Sequence, residues 1–254
     1  MAIVEYKLKD RVAYVTLNRP EKLNAINLKM RDALMEALSA FDKDEGAWVC
    51  VVQGAGRAFS VGLDLAETSD SLGDPSFAES IEELYLFLSR IPKPTVAVIN
   101  GYCLAQGGGI ALACDIRIAG DGAVFGWPQA KRGISSISGP AMLAAKAPLN
   151  FALEYLYTGE LIDAQAAYRL NLVNRVVPNA ELEVTVSELL GKIAANAPLP
   201  LSLMKQAAVS GQGQPLEARV NLASKFFQRT LRTDDAREGL VAFIEKRTPL
   251  FRGR

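Results

Sequence analysis

Two glycine-punctuated turns hold the residues of this chain best placed to do chemistry. The first is Gly54-Ala55-Gly56-Arg57-Ala58-Phe59-Ser60-Val61-Gly62-Leu63-Asp64-Leu65. The second lies between Val98 and Asp115, with Gly107-Gly108-Gly109 at its centre. Each follows an apolar, β-rich run (48–53 and 94–99) that suits a buried strand. Glycine lets a backbone approach a ligand closely. A helix start exposes unpaired N–H groups and carries partial positive charge. Two such turns meeting from opposite sides offer two N–H groups to one carbonyl oxygen, and each well-aimed donor stabilises an enolate or tetrahedral oxyanion by about 3 kcal/mol. On its own, the second stretch is more simply read as tight strand–helix packing that needs glycine.

Composition limits the remaining chemistry. The 254 residues contain no histidine, which excludes a Ser-His-Asp triad, a Cys-His pair and a His-ligated metal within this chain. Acid–base work falls to Asp, Glu, Tyr, Lys, Cys or bound water. Lys plus Arg equals Asp plus Glu at 28 each, so no basic stripe favours nucleic acid or an anionic membrane. The three cysteines (Cys50, Cys103, Cys114) sit in apolar surroundings without metal spacing and read as buried thiols of a reducing, cytoplasmic setting. No run is long enough to cross a bilayer, and the charged stretch 1–10 does not read as a signal peptide.

The elements that must position the turns follow from periodicity. Segments 3–8 and 12–17 alternate as a hairpin. Asn27 can cap a helix over 28–42 with Met30, Leu34, Leu38 and Phe41 on one face. The polar stretch 67–75 reads as a mobile loop. A helix over 76–90 lines Ile81, Leu84, Tyr85 and Leu88 on one side. An apolar helix is expected from about Ile110, and short strands over 116–119 and 123–125. Further helices are expected over 135–146, 150–157 and 164–170 (capped by Asp163), a strand over 172–177, and a helix over 181–195 ended by Pro198 and Pro200. The remainder reads as helical and more charged. The expected organisation is a core of residues 1–195 and a helical segment of 196–254.

The chain resembles the crotonase, or enoyl-CoA hydratase/isomerase, family over nearly its whole length. The resemblance rests on Asn18-Arg19-Pro20-Glu21-Lys22-Leu23-Asn24-Ala25, the stretch from Ala58 to Leu65, and Pro94 to Asp115. Ala123-Val124-Phe125-Gly126, Tyr157-Thr158-Gly159, Ala164 to Val177 and Glu238 to Arg247 extend it in the same order. It implies an α/β fold, a spiral of ββα units, with a C-terminal helical segment that packs trimers, often paired into hexamers. It also implies an acyl-CoA substrate and no separate cofactor, coenzyme A being part of the substrate. On the family pattern the oxyanion-hole donors are the backbone N–H of Leu63 and, in ungapped register, of Gln106, with Gly107 and Gly108 as alternatives. Coenzyme A contacts fall on Lys22, Ala25, Ala58, Asp64, Phe227 and Lys246. Asp64 also reads as a brace for the first turn, and Lys246 as a cation at a helix end, where charge is favourable anyway.

The sequence departs from the family at both acid–base positions. Gly109 stands where hydratases carry a first glutamate and Gln129 where they carry the second, and neither titrates. Each such group typically contributes about a hundred- to ten-thousand-fold, so ordinary hydration is not expected. Glu82 is a replacement candidate, against the plainer reading of a solvated helix face. Ser135, Ser136 and Ser138 read as a helix cap or as ligands of a substrate carboxylate or water. Tyr102 and Trp127 read as pocket lining or core. The resemblance implies an acyl-CoA enzyme of the hydratase/isomerase type, a lyase or isomerase that stabilises an enolate or oxyanion; the alternatives are decarboxylation, C–C bond hydrolysis or isomerisation, or a catalytically silent acyl-CoA-binding subunit.

Overall fold

The computed structural model describes residues 2–68 and 74–254. Strand β1 (Val4–Lys9) pairs antiparallel with β2 (Val12–Leu17) across a turn in which Asp10 and Arg11 take positive φ. Helix α1 (Leu28–Lys43) starts where the Asn27 side chain accepts from Met30 N–H at 2.9 Å. It buries Met30, Leu34, Leu38 and Phe41, as its 3–4 spacing requires. Then β3 (Val49–Gly54), β4 (Ala58–Ser60), the short α2 (Leu65–Thr68) and α3 (Pro75–Arg90) follow. Of the loop expected over 67–75, the two ends are helical and residues 69–73 lie outside the described residues.

The next two repeats run β5 (Thr95–Ile99), β6 (Tyr102–Leu104), α4 (Gln106–Ala113), then β7 (Ile116–Gly120) and β8 (Val124–Gly126). After them come α5 (Ala144–Lys146), α6 (Leu149–Thr158), β9 (Leu161–Asp163), α7 (Ala164–Arg169), β10 (Arg175–Val177) and α8 (Leu182–Ala194). Three helices close the chain: α9 (Pro198–Ser210), α10 (Leu216–Thr230) and α11 (Asp234–Glu245).

Successive strands divide between two sheets. One runs β1-β2-β3-β5-β7-β10 and is parallel from β2 onward; the other runs β4-β6-β8-β9. Each pair β3–β4, β5–β6 and β7–β8 thus places one strand in each sheet before the chain moves on, which builds the spiral of ββα units. β3 and β5 are apolar on both faces because helices cover one side and the second sheet the other. The main core fills the space between the sheets and α1, α3 and α4; a second cluster packs α8 against the outer face of the larger sheet.

Four expectations need correction. Helix α4 begins at Gln106, not near Ile110, so all three glycines are helical. The segment 135–146 is not one helix: residues 135–137 are irregular, and a wide π turn over Gly139–Leu143 leads into α5. Residues 172–174 stay outside β10 because Asn174 turns its side chain onto Arg117 N–H. Pro198 and Pro200 lie in the first turn of α9, where a missing N–H costs nothing, rather than merely ending α8. Helix α9 is tied to the core by Lys205, whose ammonium lies 2.8 Å from Asp115 and 3.1 Å from the Lys93 carbonyl.

Candidate active site

The first turn is built outward from Asn24 and Arg19. Asn24, fully buried, accepts from Arg19 N–H and donates to the carbonyls of Ala55 and Ala58. Ser60 donates to the Asn24 carbonyl at 2.8 Å and accepts from Gly62 N–H at 3.2 Å. The Arg19 guanidinium lies 3.1 Å from Asp64 and 2.8 Å from Glu67, and donates to the Ala25 carbonyl at 2.8 Å. Asp64 therefore braces this turn. Ile26 pairs with Leu63 as an isolated parallel bridge: Ile26 N–H donates to Gly62 O, and Asp64 N–H donates to Ile26 O. In that pattern the N–H of Leu63 points to the opposite edge, and it has no backbone partner among the described residues.

The second turn is strained. Ala105, at the N-cap of α4, holds φ 51° and ψ −114°, a region rarely occupied by a residue with a side chain. Its N–H donates to Gly126 O at 2.8 Å, and its carbonyl accepts from Gly109 N–H at 3.1 Å. Both ends of the kink are thus pinned. The N–H groups of Gln106, Gly107 and Gly108 are left without an intrahelical acceptor.

The two turns touch. Gly62, at φ 93°, has room only for hydrogen: a Cβ there would lie 2.8 Å from Ala105 Cβ and 3.2 Å from Gln106 N. The three glycines of α4 each let a different neighbour approach. A Cβ on Gly107 would meet Ser60 O at 2.5 Å, one on Gly108 the Trp127 ring at 2.8 Å, and one on Gly109 the Tyr85 ring at 2.5 Å. The packing reading of these glycines and the ligand reading therefore coexist: tight packing on three sides holds the helix start against the first turn.

Leu63 and Gln106 both line a cleft of about 790 Å³. Ala25, Asp64 and Gln129 line it too, together with Arg57 and Leu23 at one end and Phe77, Ile81 and Tyr85 at another part of the wall. Gln106 is 4% exposed, and neither polar atom of its carboxamide has a partner among the described residues. The Gln129 side-chain oxygen is likewise unpartnered. Lys22, Ala58, Gly107, Phe227 and Lys246 are not part of this lining. Phe227 and Lys246 lie exposed on the C-terminal helices, and Lys246 closes α11 in the left-handed conformation. Glu82 is exposed and faces a separate groove with Asp42, Glu79 and Arg90. Its neighbours Ile81, Leu84 and Tyr85 take the inward face of α3, which leaves Glu82 turned to solvent.

The structure adds a polar group that the sequence pattern placed only as core. Tyr85, on the buried face of α3, lines the cleft. Burial pushes its phenol well above the ordinary tyrosine range, opposed in part by the nearby Ser138 hydroxyl. Ser138 accepts from Trp127 Nε1–H at 3.0 Å and donates to Ala105 O at 3.3 Å. Trp127 itself is buried behind Gly108 rather than lining the cleft. Arg132 also lines the cleft without a signal in the sequence beyond its proximity to Gln129.

A two-sheet ββα spiral whose strained turn and bridged turn meet at one cleft defines a recognisable class of fold. The sequence profile of the Enoyl-CoA hydratase/isomerase family matches residues 7–254. The chain is 37% identical over 260 residues to the (E)-benzylidenesuccinyl-CoA hydratase of Thauera aromatica, covering 98% of this chain and 99% of that one. It is 34% identical over 247 residues to the 2,3-dehydroadipyl-CoA hydratase of Escherichia coli, with 97% of each covered. The crystal structure of an enoyl-CoA hydratase from Bacillus anthracis superposes with a TM-score of 0.93 at 30% identity, covering 100% of both chains. The chain belongs to the enoyl-CoA hydratase/isomerase family, the crotonase superfamily. Among the described residues no helix is long and apolar enough to cross a membrane.

Proposed function

We propose that the protein acts on an acyl-CoA thioester whose carbonyl oxygen accepts hydrogen bonds from the N–H groups of Leu63 and Gln106. The observation that carries this is the contact of the two turns. Gly62 abuts Gln106 N, and both N–H groups belong to residues lining one cleft. Donors fixed in advance cost no reorganisation when charge develops on oxygen, and each contributes about 3 kcal/mol to the barrier reduction. Relatives named for acting on CoA esters support the substrate class.

The chemistry proceeds through an enolate or oxyanion and is not ordinary hydration. A hydratase-type carboxylate has no place at position 109, because the Tyr85 ring occupies the space its Cβ would need. Gln129 orients a group but does not titrate. Leu23, Ala25, Arg57 and the braced Asp64 turn form the end of the cleft assigned to coenzyme A. Lys22 and Ala58 flank that end in sequence. Phe227 and Lys246 would complete it from a neighbouring copy in a trimer or a hexamer of paired trimers. Exposed Phe243, Ile244, Leu240 and Leu216 on α10 and α11 support such packing. Light scattering of the purified protein checks the assembly.

Titration with acetoacetyl-CoA tests the substrate class. Saturable binding is expected, and absence of binding would reject the acyl-CoA reading. The second reading, a silent acyl-CoA-binding subunit, is favoured by the missing carboxylates at 109 and 129. It predicts binding without turnover across enoyl-, malonyl-type and β-keto acyl-CoA esters.

A further inference from the structure

Position 109, where the family motifs place a hydratase's glutamate, carries no side chain, and a group from another helix reaches it. A Cβ on Gly109 would lie 2.6 Å from the Tyr85 hydroxyl oxygen. The phenol of α3 thus reaches the place where a side chain on α4 would begin. It is enclosed there: Tyr85 is 6% exposed, its ring packs against Gly109, and the Ser138 hydroxyl, itself fixed by Trp127 Nε1–H, is near enough to favour the phenolate. Ser138 has one proton to give, either to Ala105 O or to the phenol oxygen. When it gives it to the phenol, the Tyr85 proton is free for a group in the cleft.

Among the described lining residues the only carboxylate is Asp64, which is held against Arg19. The arrangement provides a proton donor without a matching base. Such a site fits a reaction that makes its carbanion by breaking a C–C bond instead of removing a proton. We propose that Tyr85 is a catalytic proton donor, delivering its hydroxyl proton to the α-carbon of a thioester enolate formed by loss of carbon dioxide from a 2-carboxyacyl-CoA.

The inference rests on the oxyanion-hole reading above. The bond between C2 and the carboxylate breaks, and carbon dioxide leaves. The electron pair passes into the thioester as an enolate, its charge on the oxygen facing Leu63 and Gln106 N–H. The Tyr85 O–H bond then breaks, its proton forms the new C2–H bond, and the enolate returns to the thioester. Ser138 O–H stabilises the phenolate until a solvent water reprotonates it. The net reaction consumes one proton and needs no oxidant or reductant. The unpartnered carboxamide of Gln106 and side-chain oxygen of Gln129 supply neutral polar contacts to the acyl substituents without neutralising the departing carboxylate.

The test uses the full chain in deuterated water with malonyl-CoA and 2-methylmalonyl-CoA, followed by nuclear magnetic resonance. The wild-type protein is expected to release carbon dioxide and to leave propionyl-CoA with one deuteron at C2 in a single configuration. Tyr85→Phe keeps the ring over Gly109; it should bind acetoacetyl-CoA within about twofold of wild type, lose about a hundredfold in kcat with little change in KM, and scramble the configuration. A Tyr85→Phe protein with unchanged kcat and configuration would overturn the assignment. So would a wild-type protein that binds acetoacetyl-CoA but decarboxylates neither ester, an outcome that leaves the oxyanion hole standing and does not depend on the variant folding. Failure of the wild type to bind acetoacetyl-CoA would instead remove the oxyanion-hole reading and this one with it.

Discussion

Gly109 and Tyr85 show how one residue type decides what another can do. Glycine at 109 costs helix stability relative to alanine, roughly 1 kcal/mol. Only glycine fits there, because the phenol ring lies 2.5 Å from where a Cβ would be. Gly109→Glu is therefore expected to destabilise the fold by about 1–3 kcal/mol through overpacking, and not to create a crotonyl-CoA hydratase. Combining it with Tyr85→Ala should recover much of the stability, as read by urea unfolding; an additive loss in the double variant would show that the two positions do not share this space. The reading of Gly109 and Gln129 as departures comes from the register of the family motifs in the sequence. The role of Tyr85 was not legible there. It sat on an apolar helical face like any core aromatic, and only the approach of α3 to α4 gives its hydroxyl a site.

At the scale of elements, periodicity carried what local chemistry could decide. The inward face of α3 (Ile81, Leu84, Tyr85, Leu88) and the Asn27 cap of α1 were read from spacing and are found as read. The start of α4 was missed by four residues because three consecutive glycines locally favour a turn, whereas packing against Ser60, Trp127 and Tyr85 enforces a helix. Residues 135–137 and Gly139–Leu143 were misread because Gly139-Pro140 interrupts an otherwise helical composition with a wide turn. The convergence of the two turns is likewise tertiary. It depends on Arg19, which ties the segment after β2 to Asp64 and Ala25. Arg19→Ala leaves Asp64 without this cation in a buried setting and is expected to cost about 3 kcal/mol. Acetoacetyl-CoA binding should weaken with it. Denaturant unfolding paired with the titration checks this, and a variant with wild-type stability and binding would contradict the bracing role.

For the molecule as a whole, the ββα spiral buries its three thiols and half-buries the phenol of Tyr6. Burial, with a lesser contribution from Asp115, pushes Cys114 up from 9.0 to about 12. Burial, then the charge and hydrogen bond of Asp44, push Tyr6 from 10.0 to about 12. Both pKa values are raised in the folded state, so the folded protein favours the neutral forms. Their stabilising contribution is fully present below pH 9.0 for Cys114 and below 10.0 for Tyr6, and is lost as pH rises toward about 12. The melting temperature is expected to fall between about pH 9 and about pH 12. The loss should be smaller in Cys114→Ala than in wild type; an equal loss would remove Cys114 from the explanation. The overall architecture was legible because many motifs recur in one order along the chain. The assembly proposed for the C-terminal helices rests on their exposed apolar residues, and a single chain's sequence gives them no partner face.

The central claim is that two backbone N–H groups from separate turns grip one thioester oxygen. A crystal structure of the protein with acetoacetyl-CoA tests it most directly. The account predicts the thioester oxygen about 2.7–3.1 Å from both Leu63 N and Gln106 N, with Tyr85 Oη facing the α-carbon. An ordered ester whose oxygen pairs with neither group, or with Gly107 or Gly108 N–H in place of Gln106, would contradict it.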